Sequence, residues 1–384
     1  MSNGYVDKIF QRICENINSN TKPGMIIASP SSDPDYKYHW IRDSALVMRP
    51  IVDLYKNTKH SKYFHLILNY IENESKLQKI KSESGLGEPK YNINGTVYDK
   101  PWGRPQNDGP ALRSIILFKF LDIIKHNYET IIENLIIPII RKDIYYIIDN
   151  FDKPCFDIWE ELNGWHFYTR IVQLKCLKEA MIHFKYLDDE NLTLHNIKDI
   201  YDKLSESIND HINNQMIISS FDVDGNITKY EDSANILAYC HIDYDEDIIK
   251  LFPLNLIEHT AEELLTYFRN KYNNDSITLI GRYKDDKYYD GQIWILCSLA
   301  LAQYYVSLYC NFNKCLTKYP IHRVKSNPFN GYIQKANEIL EFILTLDENL
   351  ILPEQLNPNT LEFISAKKLT WNYSELYNLI KLLM

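Results

Sequence analysis

The sequence predicts an all-α fold, and three observations predict it. Roughly a dozen segments carry apolar residues at the spacing of one helix face. Strand-like alternation is nearly absent, and 45% of the 384 residues are hydrophobic, enough for a large core shared by helices that pack on one another. No repeat, linker or composition break divides the chain, so residues 1–384 read as a single domain.

Residues 5–19 place Val6, Ile9, Phe10, Ile13 and Ile17 on one helical face. Lys22-Pro23-Gly24 ends that pattern, and 28–35 is a loop dense in Pro, Ser and Asp. It runs into Tyr36-Lys37-Tyr38-His39-Trp40-Ile41-Arg42-Asp43-Ser44, where aromatic and polar residues alternate up to an Arg-Asp pair. Two readings stay open there: rings that stack on a sugar while Arg42 and Asp43 bond its hydroxyls, or an aromatic plug with a structural ion pair. Helical spacing resumes over 43–56 and 63–75. The loop at 84–92 contains Gly85-x-Gly87, which is no nucleotide fingerprint, because no third glycine follows and no strand precedes it. A second aromatic and polar loop, 100–110, holds Trp102, Arg104 and Asp108. Loops of this length inside a compact domain are functional or disordered, and its Trp, Arg and Asp content argues against disorder. Helices follow over 111–125 and from Pro138, a residue tolerated in a first turn, to 150.

The next stretch, Phe156-Asp157-Ile158-Trp159-Glu160-Glu161-Leu162-Asn163-Gly164, crowds acids around one Trp. Acids at a helix entrance serve equally well as partners for exposed N–H groups. Against that, a Trp beside a carboxyl and neighbouring negative charge both raise its pKa, which is how a general acid is made. Helices are predicted over 165–184 and 197–213, then a hairpin within 216–229. Asp222, Asp224 and Asn226 faintly resemble a calcium loop, but its closing Glu is missing and a hairpin turn is the better reading. Further helices are predicted over 231–239, 257–272, 290–312, with Trp294 inside it, 331–347 and 371–384. The loop 281–291 again mixes Arg282, Asp and Tyr, and the loop 352–359 sets Glu354 between prolines, where a lone Glu is ordinarily solvent-exposed.

A formal net charge of −9 with scattered Lys and Arg disfavours a nucleic-acid reader. No run approaches the ~20 apolar residues of a spanning helix. The N-terminus lacks the basic start and apolar run of a secretory signal. Seven cysteines, spread thinly from Cys14 to Cys315, read as free thiols in a reducing compartment rather than a disulfide framework. An intracellular, monomeric protein is therefore expected, and His39 and His166 show no metal-ligand spacing.

Loops with Arg, Asp and aromatic residues thus flank helices at 36–43, 102–109, 157–164, 282–291 and 354–371. Gathered at one end of a helical ring, they would build a pocket suited to a carbohydrate. In these stretches the chain resembles the catalytic domain of glucoamylases, glycoside hydrolase family 15. The resemblance runs from Ala28-Ser29-Pro30-Ser31 and Trp40-Ile41-Arg42-Asp43-Ser44, through Gly85-Leu86-Gly87-Glu88-Pro89-Lys90 and Trp102-Gly103-Arg104-Pro105-Gln106-Asn107-Asp108-Gly109-Pro110, to Asp157-Ile158-Trp159-Glu160-Glu161. It ends with Gly281-Arg282-Tyr283, Glu354-Gln355 and Ser365-Ala366-Lys367-Lys368-Leu369-Thr370-Trp371.

The resemblance implies an (α/α)6 barrel of twelve helices that releases β-D-glucose, with inversion, from non-reducing ends of α-1,4-glucans. It implies Glu160 as general acid and Glu354 as general base. It further implies that Arg42, Asp43, Arg282 and Ile158 bind the terminal glucose, with Trp102 as an aromatic wall. Tyr36, Asp157, Glu161, Trp371 and Lys90 fall on supporting or neighbouring positions, and Trp40, Arg104, Trp159 and Trp294 complete the candidate site. Inversion asks for carboxyl groups about 6.5–9.5 Å apart, the acid protonated and the base ionised, so Glu160 is the carboxyl expected to be raised. No cofactor or metal is implied. The expected substrates are soluble dextrins or glycogen, since no starch-binding domain follows Met384. Alternatives are hydrolysis of another α-glucoside such as trehalose, and a non-catalytic glucan-binding module, which would need neither Glu.

Overall fold

A computed structural model describes residues 3–17, 21–213, 215–318 and 330–384. Among them are twelve helices of eight residues or more: α1 (Asn3–Asn16), α2 (Ile41–Thr58), α3 (Ser61–Leu77), α4 (Asp108–Ile124), α5 (Ile137–Asn150), α6 (Phe167–Ile182), α7 (Leu194–Ser207), α8 (Ala234–His241), α9 (Leu254–Tyr272), α10 (Ile295–Lys318), α11 (Asn330–Thr345) and α12 (Thr370–Leu383). The even-numbered helices pack in sequence, α2 on α4, α4 on α6, and onward until α12 returns to α2. Each odd-numbered helix lies outside a ring member next to it in the chain, with α1 closing against α12. This is an (α/α)6 barrel.

Composition explains which helices line the ring. In α2, α4 and α12 most positions are buried, polar ones such as Arg42, Arg113 and Glu375 among them. By contrast, α7 and α9 bury one apolar stripe each, the pattern of a helix with one face in water. One buried ion cluster joins two layers. Arg113 of α4 meets Glu74 of α3 at 2.9 Å and donates Nε–H to Asp143 of α5, also at 2.9 Å. His39 completes it, accepting the Ile26 N–H at Nδ1 and therefore donating from Nε2 to Glu74.

Among the described residues nine short strands form three antiparallel sheets, more strand than the sequence predicts. They are β1 (Tyr38–Trp40) with β2 (Lys90–Asn92); β3 (Cys155–Phe156), β4 (Asn163–His166), β5 (Ser220–Asp222) and β6 (Ile227–Lys229); and β7 (Ile293–Trp294), β8 (Pro353–Leu356) and β9 (Phe363–Lys367). Their partners come from loops far apart in sequence, as in Trp40 opposite Lys90 and Trp294 opposite Gln355. Periodicity along one segment cannot register such pairing.

Four predictions are corrected accordingly. Trp165 lies in β4, and helix α6 begins at Phe167, so the acidic stretch is the turn between two strands and no helix entrance. Trp294 belongs to β7 rather than to the following helix, and Glu354 to β8 rather than to an open loop. The helix expected over 197–213 ends at Ser207 and passes into a single 3-10 turn, Ile208–His211. The hairpin within 216–229 is present as β5 and β6, and Asp222 spends its carboxylate on the N–H groups of Asp224 and Asn226 in the turn. All six ring helices start at the end that carries the sheets. β1 runs directly into α2, β4 into α6 and β7 into α10.

Candidate active site

At that end lies a cavity of about 540 Å³. Of the candidate residues, Tyr36, Trp40, Arg42, Asp43, Lys90, Trp102, Ile158, Trp159, Glu160, Glu161, Arg282, Trp294, Glu354 and Trp371 line it. Arg104 and Asp157 do not. Arg104 turns away to pair with Glu88 at 3.0 Å and to hold the carbonyl of Tyr98, and Asp157 is buried behind the acidic turn.

That turn is built by its own hydrogen bonds. Asp157 Oδ1 accepts the backbone N–H of Glu161 at 2.8 Å and of Leu162 at 3.1 Å, and the Glu160 N–H returns to the Asp157 carbonyl at 2.9 Å. Closing so tightly puts Glu160 at φ 67°, the left-handed region that non-glycine residues rarely enter. Its carboxylate is thereby presented to a set of donors. Oε1 accepts from Trp40 Nε1 at 2.7 Å, Gln106 Nε2 at 2.9 Å and Arg42 Nη2 at 3.2 Å, and Oε2 accepts from Trp102 Nε1 at 2.8 Å. The sequence reading had Trp159 crowding this carboxyl. Instead the Trp159 indole turns away, donates to Asp232 at 2.9 Å and tilts against Trp294.

Arg42 sits in the first turn of α2, where it also donates to Gln106 at 2.8 Å and to Asp108 at 3.2 Å. Burial opposes its charge, and Asp108, Asp43 and Glu160 hold it cationic. Burial pushes the adjacent Asp43 up to about 6 against the pull of Arg42. On the far side Arg282 binds Asp286 through Nε at 2.7 Å and Glu161 through Nη2 at 2.7 Å. The Tyr283 hydroxyl donates to the same Glu161.

Glu354 enters from β8. It is 2% exposed, and that burial raises it from 4.5 to about 7, although Ser365, Arg282 and Tyr36 pull the other way. Burial thus raises Glu354 as it raises Asp43. A higher pKa makes an ionised carboxylate a stronger base. Ser365 Oγ donates to Glu354 Oε2, and the Tyr36 and Tyr288 hydroxyls stand 2.9 Å apart beside it.

Two further features shape the walls. Lys90 is 1% exposed and its Nζ lies 3.0 Å from the Trp102 ring centre, 4.1 Å from Tyr98, 4.5 Å from Trp40 and 4.7 Å from Tyr38. Burial lowers it to about 8, while the ring faces supply the attraction that retains a cation there. Trp371 donates to Glu375 at 2.9 Å. Burial opposes the charge of Glu375, but His241, Arg49 and Gln303 hold it down at about 2. The Trp371 indole is thus anchored to a fixed anion.

Sequence reasoning missed Tyr38, Tyr98, Gln106, Tyr288 and Lys229. Tyr38 and Tyr98 carried a signal, since each precedes a candidate Trp within a polar loop. Gln106 lies in the 102–110 stretch that carries the family resemblance, whereas Lys229 carried no signal, because its contact with Asp157 crosses 72 positions. Two carboxylates facing one cavity from separate sheets, with N–H donors at one and a buried setting at the other, can protonate a departing oxygen and deprotonate a water. Among the described residues no cluster of His, Cys, Asp and Glu is arranged to hold a metal ion.

Residues 3–381 match the family described as Glycosyl hydrolases family 15. The chain is 28% identical to a protein named "Glucoamylase, intracellular sporulation-specific" from Saccharomyces cerevisiae, over 97% of this chain and 81% of that protein. It is 31% identical to Glucoamylase-1 of Arthroderma benhamiae, over 96% of this chain and 67% of the relative. Among solved structures, a glucoamylase from Saccharomycopsis fibuligera superposes with a TM-score of 0.84 at 26% identity, covering 98% of this chain and 94% of that one. The family 15 glucoamylase from Hypocrea jecorina gives 0.86 at 25% identity, covering 98% and 70%.

Proposed function

The chain belongs to glycosyl hydrolase family 15, and on that premise we propose that it is an exo-acting glucan 1,4-α-glucosidase. It releases β-D-glucose from the non-reducing ends of α-glucans such as dextrins and glycogen. The observation that carries the reading is the pairing of Glu160 and Glu354 across one cavity lined by Arg42, Asp43, Arg282 and five tryptophans.

Arg42, Asp43 and Arg282 bind hydroxyls of the terminal glucose, and the rings of Trp40, Trp102, Trp294 and Trp371 cover its apolar faces. Protonated Glu160 donates its proton to the glycosidic oxygen as the bond from that oxygen to the anomeric carbon breaks. Ionised Glu354 takes a proton from a water that attacks the same carbon from the opposite face. The sugar inverts, and the two carboxyl groups end with exchanged protonation. Trp40, Trp102 and Gln106 fix the rotamer of Glu160, so that its proton is delivered along one direction.

Among the described residues no helix is long and apolar enough to cross a membrane. The intracellular setting named for the Saccharomyces cerevisiae relative supports the same setting here.

The test is to incubate the protein with maltotriose and follow the anomer released by NMR. β-Glucose is expected; α-glucose would sink the inverting mechanism, and binding without turnover would leave only a glucan-binding module. Glu160→Gln should lower turnover by about 10²–10⁴-fold and preserve maltose binding. Substantial remaining activity would mean that another group is the acid.

A further inference from the structure

We propose that Lys229 is a positioning residue that clamps the turn carrying Glu160. The inference rests on the reading of Glu160 as the acid. Lys229 is the last residue of β6, brought over the acidic turn by the β5–β6 hairpin, which pairs through β5 with β4 at the end of that turn. Its Nζ lies 3.0 Å from Asp157 Oδ2 and 3.5 Å from Glu161 Oε2, and 3.9 Å from the centre of the Tyr283 ring. One ammonium thus ties the acids on both sides of Glu160.

Asp157 is the more consequential partner. Its other oxygen accepts the two backbone N–H groups that close the turn. Its side chain is 4% exposed, and among the described residues no other Lys or Arg lies within ion-pair reach of it. Burial opposes the charge of Asp157, and Lys229 is the foremost group that keeps it ionised. A carboxylate binds two N–H groups well only while charged.

Without Lys229 the buried Asp157 loses its counter-charge and the closing bonds weaken. Glu160, at φ 67°, is then free to relax toward ordinary backbone angles. Its carboxylate would leave Trp40, Trp102 and Gln106. Arg282 also holds Glu161 but makes no ion pair with Asp157, so it cannot replace the clamp.

The experiment compares Lys229→Met and Lys229→Arg with the wild type on maltotriose. For Lys229→Met, kcat should fall about tenfold or more, with KM changing less than kcat, and Lys229→Arg should recover most of the loss. Normal kcat in a folded Lys229→Met protein would overturn the proposal, as would equal impairment of the two variants. Should Lys229→Met not fold, Lys229→Gln, which keeps a donor for Asp157 without the charge, carries the same expectation. A crystal structure of the folded neutral variant decides the clamp independently of turnover. Glu160 should leave the left-handed region, and an unchanged turn would refute the clamp. Absence of wild-type turnover, in contrast, would count against the assignment of Glu160 alone.

Discussion

Replacing Glu354 by Gln should abolish hydrolysis and at the same time stabilise the protein, but only above mildly acidic pH. Burial raises this carboxyl from 4.5 to about 7. Below pH 4.5 it is protonated in both folded and unfolded chains, and its ionisation contributes nothing to the difference between them. As the pH rises through the window from 4.5 to about 7, the unfolded chain gives up the proton while the folded protein keeps it, so stability is lost. Above about 7 the folded protein holds a buried anion, at a cost of about 3 kcal/mol relative to a neutral group of the same shape. Gln removes that cost and can still accept the Ser365 hydroxyl. Urea denaturation of both proteins at pH 4 and pH 8 is the assay: near-equal stability is expected at pH 4, and a gain for the variant at pH 8. A gain of the same size at both pH values, or none at pH 8, would refute the argument that burial sets the state of this carboxyl.

Trp102→Phe keeps a ring over Lys90 but removes the N–H to Glu160 Oε2. Glu160 gains charge as its proton leaves, and a bond to a charged group is worth about 1.5–3 kcal/mol, so kcat on maltotriose should fall at least about tenfold, with little change in melting temperature because Trp102 is 37% exposed. Arg113→Met leaves Glu74 and Asp143 buried without their cation. Denaturant titration should show a loss of about 3–5 kcal/mol. In Gly164→Ala the new Cβ would stand 1.8 Å from the Phe221 carbonyl oxygen. β4 and β5 would have to separate, and an assay of turnover together with melting temperature should show both reduced.

Much of the barrel could be read along the chain because a helix records its own buried face. The spacing of Ile137, Ile140, Ile144 and Ile147, all buried, is intelligible without any partner. The three sheets could not be read, since β7 is two residues long and exists only because β8 arrives beside it. The same division runs through the site. Arg42, Asp43 and Glu160 announce themselves in clusters with Trp. Lys229 looks like any hairpin lysine until Asp157 is placed 3.0 Å away. The surroundings of the two carboxyls were hidden for a related reason. Adjacency in sequence put Trp159 beside Glu160, yet side chains of neighbouring residues in a tight turn diverge. Glu354, standing among prolines with no aromatic neighbour in sequence, proves to be the buried one.

The common starting end of the six ring helices has an electrostatic consequence. Each helix N-terminus carries roughly half a positive elementary charge, and six of them converge beneath the cavity. Cleavage of a glycosidic bond builds positive charge on the sugar ring itself, which this backbone field would resist. Asp43 and Asp108, in the first turns of α2 and α4, stand where they offset it. The anions of this site therefore do more than recognise hydroxyls. They turn a scaffold whose backbone repels a cation into one that can hold it for the moment of bond cleavage.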